Sequence, residues 1–303
     1  MGKNYPQKSL EERKQQMNEI LSNLENGVRE VFTSENYVRY LETFSKFHNY
    51  SYNNIILILM QYPQATYVAS FKDWTTKFNR IIKKGEHGIK ILVPTPKKVY
   101  VEREIQNEDG TTYKQKEEQR KLYFKQGYVF DISQTIGEEL PLLVKELCFD
   151  SKELAKLLNF LFATSEVPIA YDYDLKENSA SANGYYNALT KEIFLKSSLS
   201  SLHKIKTIFH EYSHYFQETI FADKTKNMDR NTKEVIAESS AYCVMEMLSN
   251  ELNMEKLDSS EYSFGYIASW GSRDLNELKS TLSLISKISN LIFDWVASKF
   301  VVS

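Results

Sequence analysis

Residues 200–218 read Ser200-Ser201-Leu202-His203-Lys204-Ile205-Lys206-Thr207-Ile208-Phe209-His210-Glu211-Tyr212-Ser213-His214-Tyr215-Phe216-Gln217-Glu218. Leu202, Ile205, Ile208, Phe209, Tyr212 and Phe216 recur three and four apart, which predicts a helix with one buried face. Ser200 and Ser201 stand where either can cap its first turn. On that helix His210 and His214 share a face, so both imidazoles reach one Zn²⁺, with Glu211 beside them as general base. Downstream, Asn231-Thr232 opens a second helix on which Glu234 and Glu238 lie one turn apart. Its next turns carry Ala237, Ala241, Val244, Met245 and Leu248, so it packs inward, and a carboxylate on a packed helix needs a cation or donors.

Two neutral histidines and one carboxylate leave the fourth position of a tetrahedral zinc for water, the arrangement of a zinc metallopeptidase. Glu211 then takes a proton from the attacking water and returns it to the leaving amine. Glu234 is the expected third ligand, and Glu238 the group that orients a ligand histidine through its other ring nitrogen. The reverse assignment also fits the spacing. So does a structural helix whose two histidines are simply hydrogen-bonded. Ahead of the helix, residues 181–187 and 191–195 read as two short strands around Asn187-Ala188-Leu189-Thr190, offering an edge to an extended peptide.

Along the rest of the chain, helical spacing runs from Leu10 to about Asn26, from Ser34 to Lys46, and from Ser51 through Ile55-Ile56-Leu57-Ile58-Leu59-Met60 to Gln61. Phe71–Phe78 reads as a short helix. The period then changes to two: residues 88–94 and 98–105 are strands, Asn107-Glu108-Asp109-Gly110 is a hairpin turn, and residues 122–124 and 128–130 return to the sheet. A polar connector at Ser133–Pro141 divides the chain into residues 1–135 and 145–303. After it come a helix from Ser151, a strand at Val167–Tyr173, the site-bearing segments, and a helical tail opened by Ser272-Arg273-Asp274-Leu275. The fold class expected is α+β, an N-terminal α+β domain followed by a mostly helical one.

The chain has 303 residues, 42% of them hydrophobic, and a formal net charge of −2, so its total charge gives no reason to expect nucleic acid or a membrane. No stretch approaches the roughly 18 apolar residues of a membrane span. The N-terminus leads into a charged helix rather than an apolar signal core, and the two cysteines, Cys148 and Cys243, offer no disulfide framework. A reducing cytosol is the expected location. Charge is nonetheless concentrated locally. Lys72, Lys77, Arg80, Lys83, Lys84, Lys90, Lys97 and Lys98 face only Asp73 and Glu86 in that segment, with Tyr62, Tyr67, Phe71, Trp74 and Phe78 interleaved. Cations with exposed rings suit single-stranded nucleic acid; the same composition suits a solvated basic face over a core that buries the rings.

Several dispersed stretches resemble the ArdC-type antirestriction proteins, including the LtrC-like proteins of Gram-positive mobile elements. They are Tyr50-Ser51-Tyr52-Asn53-Asn54, Gln61-Tyr62-Pro63-Gln64-Ala65, Trp74, Lys83-Lys84-Gly85-Glu86-His87-Gly88-Ile89, Val93-Pro94, residues 127–135, Gly184-Tyr185 and the His210–His214 motif. The resemblance covers most of residues 30–250. It implies a single-strand DNA-binding N-terminal domain, with Lys72, Trp74, Lys77, Arg80, Lys83, Lys84 and Lys90 as its candidate contacts, joined to a zincin-like, gluzincin-type metallopeptidase domain. It also implies carriage on plasmids or conjugative elements and protection of entering DNA from restriction. Carried over, His210 and His214 are metal ligands, Glu211 the acid/base, and Glu234 with Glu238 the acidic pair; the protein substrate is not implied. Tyr212-Ser213 departs from the smaller or aliphatic residues usual in the family, at positions that bear no ligand. Two functions remain open: a zinc endopeptidase targeted by its DNA-binding domain, or a DNA-binding protective protein whose zinc is structural.

Overall fold

The computed structural model describes residues 10–106, 112–138, 151–172, 183–252, 270 and 272–301. It is an α+β structure. Three helices open it: α1 (Leu10–Val31), α2 (Ser34–Lys46) and α3 (Tyr52–Gln61). The first outruns its sequence expectation because Val28, Val31 and Phe32 are fully or nearly buried and extend the apolar stripe. Ser51 caps α3 by accepting from the Asn54 N–H. β1 (Val68–Ser70), α4 (Phe71–Thr76) and β2 (Arg80–Ile82) follow.

Next comes a long antiparallel ribbon of β3 (Ile89–Gln106) and β4 (Thr112–Asp131). Where the sequence reads two strand pairs, each arm is one continuous strand, since Pro94 and Pro96 sit on the outer edge of β3 and break no hydrogen bond to β4. The Asn107–Gly110 turn lies outside the described residues. β1 pairs with the far end of β4, and β5 (Thr135–Gly137) pairs with β2. The connector expected at Ser133–Pro141 therefore begins as structure, and its remainder from residue 139 lies outside the described residues. Asp131 holds this corner together. It is 1% exposed and accepts from the N–H groups of Thr66 (2.7 Å), Tyr67 (3.0 Å) and Ser133 (3.0 Å) and from the Ser133 hydroxyl (2.6 Å). Burial pushes its carboxyl pKa up, but these donors outweigh that and hold it below the ordinary value.

α5 (Ser151–Thr164) leads to a second sheet of order β6-β8-β7, with β6 (Ile169–Asp172) parallel to β8 (Glu192–Lys196) and β7 (Gly184–Asn187) antiparallel to it. Among the described residues β7 is an edge strand. Then come α6 (Ser201–Glu218), a short α7 (Ala222–Thr225), α8 (Arg230–Leu252) and α9 (Leu275–Val296). Ser200 caps α6 and Asp274 caps α9, while the first-turn Thr232 N–H of α8 bonds Asp229 rather than anything in Asn231-Thr232 (2.7 Å).

α8 is buried on nearly every side, with Val235, Ile236, Ala237, Tyr242, Cys243, Val244 and Met247 at 1% exposure or less, so it serves as the central helix. α6, α9 and α2 all pack on it. Tyr37 on α2 hydrogen-bonds Ser239 on α8 (2.7 Å), so the N-terminal helices share one continuous core with the C-terminal ones. No helix among the described residues is long and apolar enough to cross a membrane. Cys148 lies outside the described residues.

Candidate metal centre and nucleic-acid face

Helix α6 is held at its middle. Tyr212, 3% exposed, stacks on Trp295 of α9 and bonds the Ser165 hydroxyl (2.6 Å) and the Val167 N–H (3.2 Å). Gln217 reaches the Lys233 carbonyl across to α8 (3.1 Å). With α6 and α8 fixed against each other, the opposite face of α6 turns His210 and His214 into a cleft of about 750 Å³, bordered by β7 on one side and by Glu234 and Glu238 on the other.

The three nearest donor atoms form a triangle. His210 Nε2 lies 3.2 Å from His214 Nε2 and 3.4 Å from Glu234 Oε2, which is 3.5 Å from His214 Nε2. Ligand atoms about 2.0–2.2 Å from a tetrahedral ion lie roughly 3.3–3.6 Å from one another. One face of such a tetrahedron is already assembled, and the donor set of two imidazoles and a carboxylate suits zinc or a neighbouring divalent ion. Glu238 occupies a different place. Its Oε2 meets His210 Nδ1 at 3.0 Å, and its Oε1 meets Lys206 Nζ at 3.4 Å. A carboxylate on Nδ1 fixes the tautomer that leaves the Nε2 lone pair for an ion.

The electrostatics follow from this crowding. Among the protein groups alone, burial disfavours the His210 imidazolium, but hydrogen bonds to Glu234 and Glu238 and the nearby Glu211 hold its pKa up to about 10. The His210 and His214 hydrogen bonds hold the Glu234 carboxyl far below its ordinary range. For Glu238, burial is outweighed by His210 and Lys206, and the pKa is lowered. Glu211 moves the other way. It is 6% exposed, and burial raises its pKa against the opposing pull of His210, His214 and the Tyr186 N–H, which donates to Oε2 at 2.8 Å. A carboxyl with a raised pKa is better fitted to accept and return a proton near neutrality.

Two cations of the cleft escaped the sequence reading. Lys206 is four residues before His210, a spacing that puts it on the same helix face. Arg230 Nε lies 3.8 Å from Glu234 Oε1. The backbone N–H of Tyr186 carries no sequence signal at all.

Several of the candidate DNA contacts are engaged within the protein. Trp74 is the clear correction: it is fully buried, its indole N–H donates to the Phe130 carbonyl (2.8 Å), and it packs against Tyr67 and Phe78, so no base can stack on it. Arg80 spends its guanidinium on Thr135 and on the Gly137 and Glu138 carbonyls, bracing β2 to β5. Lys83 Nζ bonds the Ser133 carbonyl (2.6 Å), and Lys77 pairs with Asp73 (2.8 Å). Lys72 and Lys84 are exposed; Lys90 is half-buried at the root of the ribbon.

Residues 11–130 match the family model for the N-terminal domain of anti-restriction factor ArdC. An uncharacterised protein of Bacillus anthracis, pXO2-81, is 24% identical over 98% of this chain; the chain spans 54% of that protein, about half its length. Among solved structures, the antirestriction ArdC protein from the R388 plasmid in its Mn(II)-bound form superposes with a TM-score of 0.54 at 16% identity, covering 91% of this chain and 98% of that one. Its metal-free form gives 0.49 at 19% identity, covering 82% and 86%. At these identities the likeness is one of fold.

Proposed function

We propose, on the premise that this is an ArdC-type protein with an ArdC N-terminal domain over residues 11–130, that it is an antirestriction factor of a mobile element. In this proposal it binds single-stranded DNA and carries a zinc-dependent peptide hydrolase site. The observation that carries the hydrolase half is the triangle of His210 Nε2, His214 Nε2 and Glu234 Oε2, with separations of 3.2–3.5 Å, beside the buried carboxyl of Glu211. A purely structural ion is held in a closed site with four protein ligands, whereas these three donors border an open cleft.

His210, His214 and Glu234 would hold the ion, and Glu238 would keep the His210 ring in its ligating tautomer. A divalent ion there supplies Lewis acidity and lowers the pKa of water in its remaining position. Glu211 takes the proton of the attacking water on its carboxylate and delivers it to the departing amine. The Tyr186 N–H holds Glu211 Oε2 in place while it does so. Edge strand β7 would pair with the substrate backbone, so an extended peptide is the expected substrate form. The antirestriction ArdC protein of R388 was solved with Mn(II), which supports a divalent ion in this fold without selecting zinc.

The test is metal analysis of the purified protein together with cleavage of a denatured-proteome peptide library by wild type and Glu211→Gln. Metal retained in both and cleavage only by wild type supports the assignment. A metal-loaded wild type that cleaves nothing Glu211→Gln leaves intact refutes it.

A further inference from the structure

Of the rings around the Lys72–Lys98 segment the core consumes Trp74, while Tyr67 and Phe71 stay exposed at 41% and 58%; four more aromatic side chains stand exposed close together on the stem of the β3–β4 ribbon: Tyr100 at 68%, Tyr123 at 45%, Phe124 at 51% and Tyr128 at 47%. Soluble proteins rarely leave such a set uncovered without use. The antiparallel register places Lys90 opposite Tyr128, Pro94 opposite Phe124, Pro96 opposite Leu122, Lys98 opposite Arg120 and Tyr100 opposite Glu118. Directly opposed residues project to one face, and alternate residues of each strand share it. One face of the stem therefore carries the rings of Tyr128, Phe124 and Tyr100, with the buried Leu92 and half-buried Gln126 between the first two, Leu122 and the two prolines further along, and Lys90, Lys98 and Arg120 interspersed.

The edge of the ribbon is closed while this face is open. The outward N–H groups of Lys90 and Leu92 donate to Gln61 Oε1 (2.9 Å) and Asn54 Oδ1 (2.8 Å), and both carbonyls accept from the same two side chains. The next two outward positions are Pro94 and Pro96, which have no N–H. A partner cannot add a strand along this part of β3, so recognition there must use side chains.

Charge selects the partner. Across residues 90–100 and 118–128 the stem carries Lys90, Lys98 and Arg120 on this face and Lys97, Lys121 and Lys125 on the other, against Glu118 alone, which pairs with Lys98 at 2.8 Å. Half of these cations lie on β4, about thirty residues downstream in sequence, and reach the others only through the hairpin. Lys97 already stands over the Tyr123 ring at 5.6 Å on the opposite face. A protein interface needs a contiguous apolar centre within a polar rim. Here cations recur between rings, the alternation that a polyanion with stackable bases requires. From Lys90 to Tyr100 the row spans roughly 33 Å at about 3.3 Å per residue, enough for several nucleotides.

We infer that this face of the β3–β4 stem is a binding surface for single-stranded nucleic acid, in which Tyr100, Phe124 and Tyr128 stack on bases and Lys90 and Arg120 meet phosphates. The inference rests on the single-strand-binding half of the function proposed above and moves its contacts away from Trp74 and Arg80.

The test is fluorescence anisotropy of a labelled oligothymidine strand with the full chain, its Tyr100→Ala and Phe124→Ala variants, and Arg120→Ala. Stacking contributes about 1–3 kcal/mol per base, so each ring variant should weaken binding by about 5- to 150-fold. Arg120→Ala should lower the slope of log affinity against log salt by about 0.7. Tyr100→Leu and Phe124→Leu keep apolar bulk without a ring; they should bind as poorly as the alanine variants and melt with wild type. Wild-type binding that all ring variants retain overturns the placement on the ribbon while leaving DNA binding intact. Equal affinity for duplex and single strand overturns stacking. Absence of any binding by wild type overturns the DNA-binding proposal itself, and with it this inference.

Discussion

Replacing Glu238 and Glu234 separately by Gln should give unequal losses, because the two carboxylates touch different atoms of the same ring. Glu238 Oε2 meets His210 Nδ1 at 3.0 Å and no ligating nitrogen. In Glu238→Gln the amide oxygen can still accept from Nδ1–H, but the charge-assisted part of the bond goes, and Lys206 loses its carboxylate partner 3.4 Å away. Loss of such a supporting group costs about 10–100-fold in metal affinity, or roughly 1.4–2.8 kcal/mol. Glu234 Oε2 is instead one corner of the donor triangle, 3.4 and 3.5 Å from the two Nε2 atoms. Sharing about 10–16 kcal/mol of zinc binding among four positions gives roughly 2.5–4 kcal/mol each, so Glu234→Gln should cost about 70- to 900-fold. The assay is competition for Zn²⁺ against a chromophoric chelator, with melting curves of the metal-stripped proteins to confirm that both fold. A larger loss in Glu238→Gln than in Glu234→Gln would refute the assignment and exchange the two roles.

Metal affinity should also fall as the pH is lowered. His210 is held up to about 10, so at neutral pH an ion must displace its proton, and each unit of acidification below that value should weaken binding about tenfold; affinity constant from pH 6 to 9, with no proton release in calorimetry across buffers, speaks against it. Asp131→Ala strands three backbone N–H groups in a buried corner and should cost about 3–5 kcal/mol in urea unfolding. Because the Asp131 pKa is depressed, its contribution is complete above the unfolded value of about 3.9 and disappears as pH falls through the folded value; a cost under about 1 kcal/mol at pH 7 would show the corner is held otherwise. Trp74→Ala should lower stability by about 3–5 kcal/mol through the cavity it leaves. A variant that melts with wild type but loses DNA binding would restore the stacking role the burial denies.

What the sequence makes legible is what lies within one helix or one strand. The His210 face, the α6 cap at Ser200 and the Glu234–Glu238 pair are all local periodicities, and each appears where a 3.6-residue repeat puts it. The hairpin is equally local up to its turn. Residues whose roles depend on partners far along the chain were not readable. Composition leaves Trp74 open between an exposed and a buried ring, and the family resemblance makes it a DNA contact, because nothing nearby announces that Phe130 and Tyr67 cover it. Arg80 and Lys83 read as free cations, yet their acceptors are carbonyls fifty or more residues away. Arg120 and Lys121 carry no local signal because only the ribbon's register sets them beside Lys98 and Lys97. The choice between Glu234 and Glu238 needed the rotation of α8 about its axis, which spacing alone does not give.

The most direct measurement is anomalous scattering at the zinc edge from a crystal grown with Zn²⁺. A single strong peak about 2.0–2.2 Å from His210 Nε2, His214 Nε2 and a Glu234 carboxylate oxygen is expected, with Glu238 remaining on His210 Nδ1. A peak ligated by Glu238 in place of Glu234, or no peak between the two histidines, would contradict the assignment of this cleft as a metal centre built by α6 and α8.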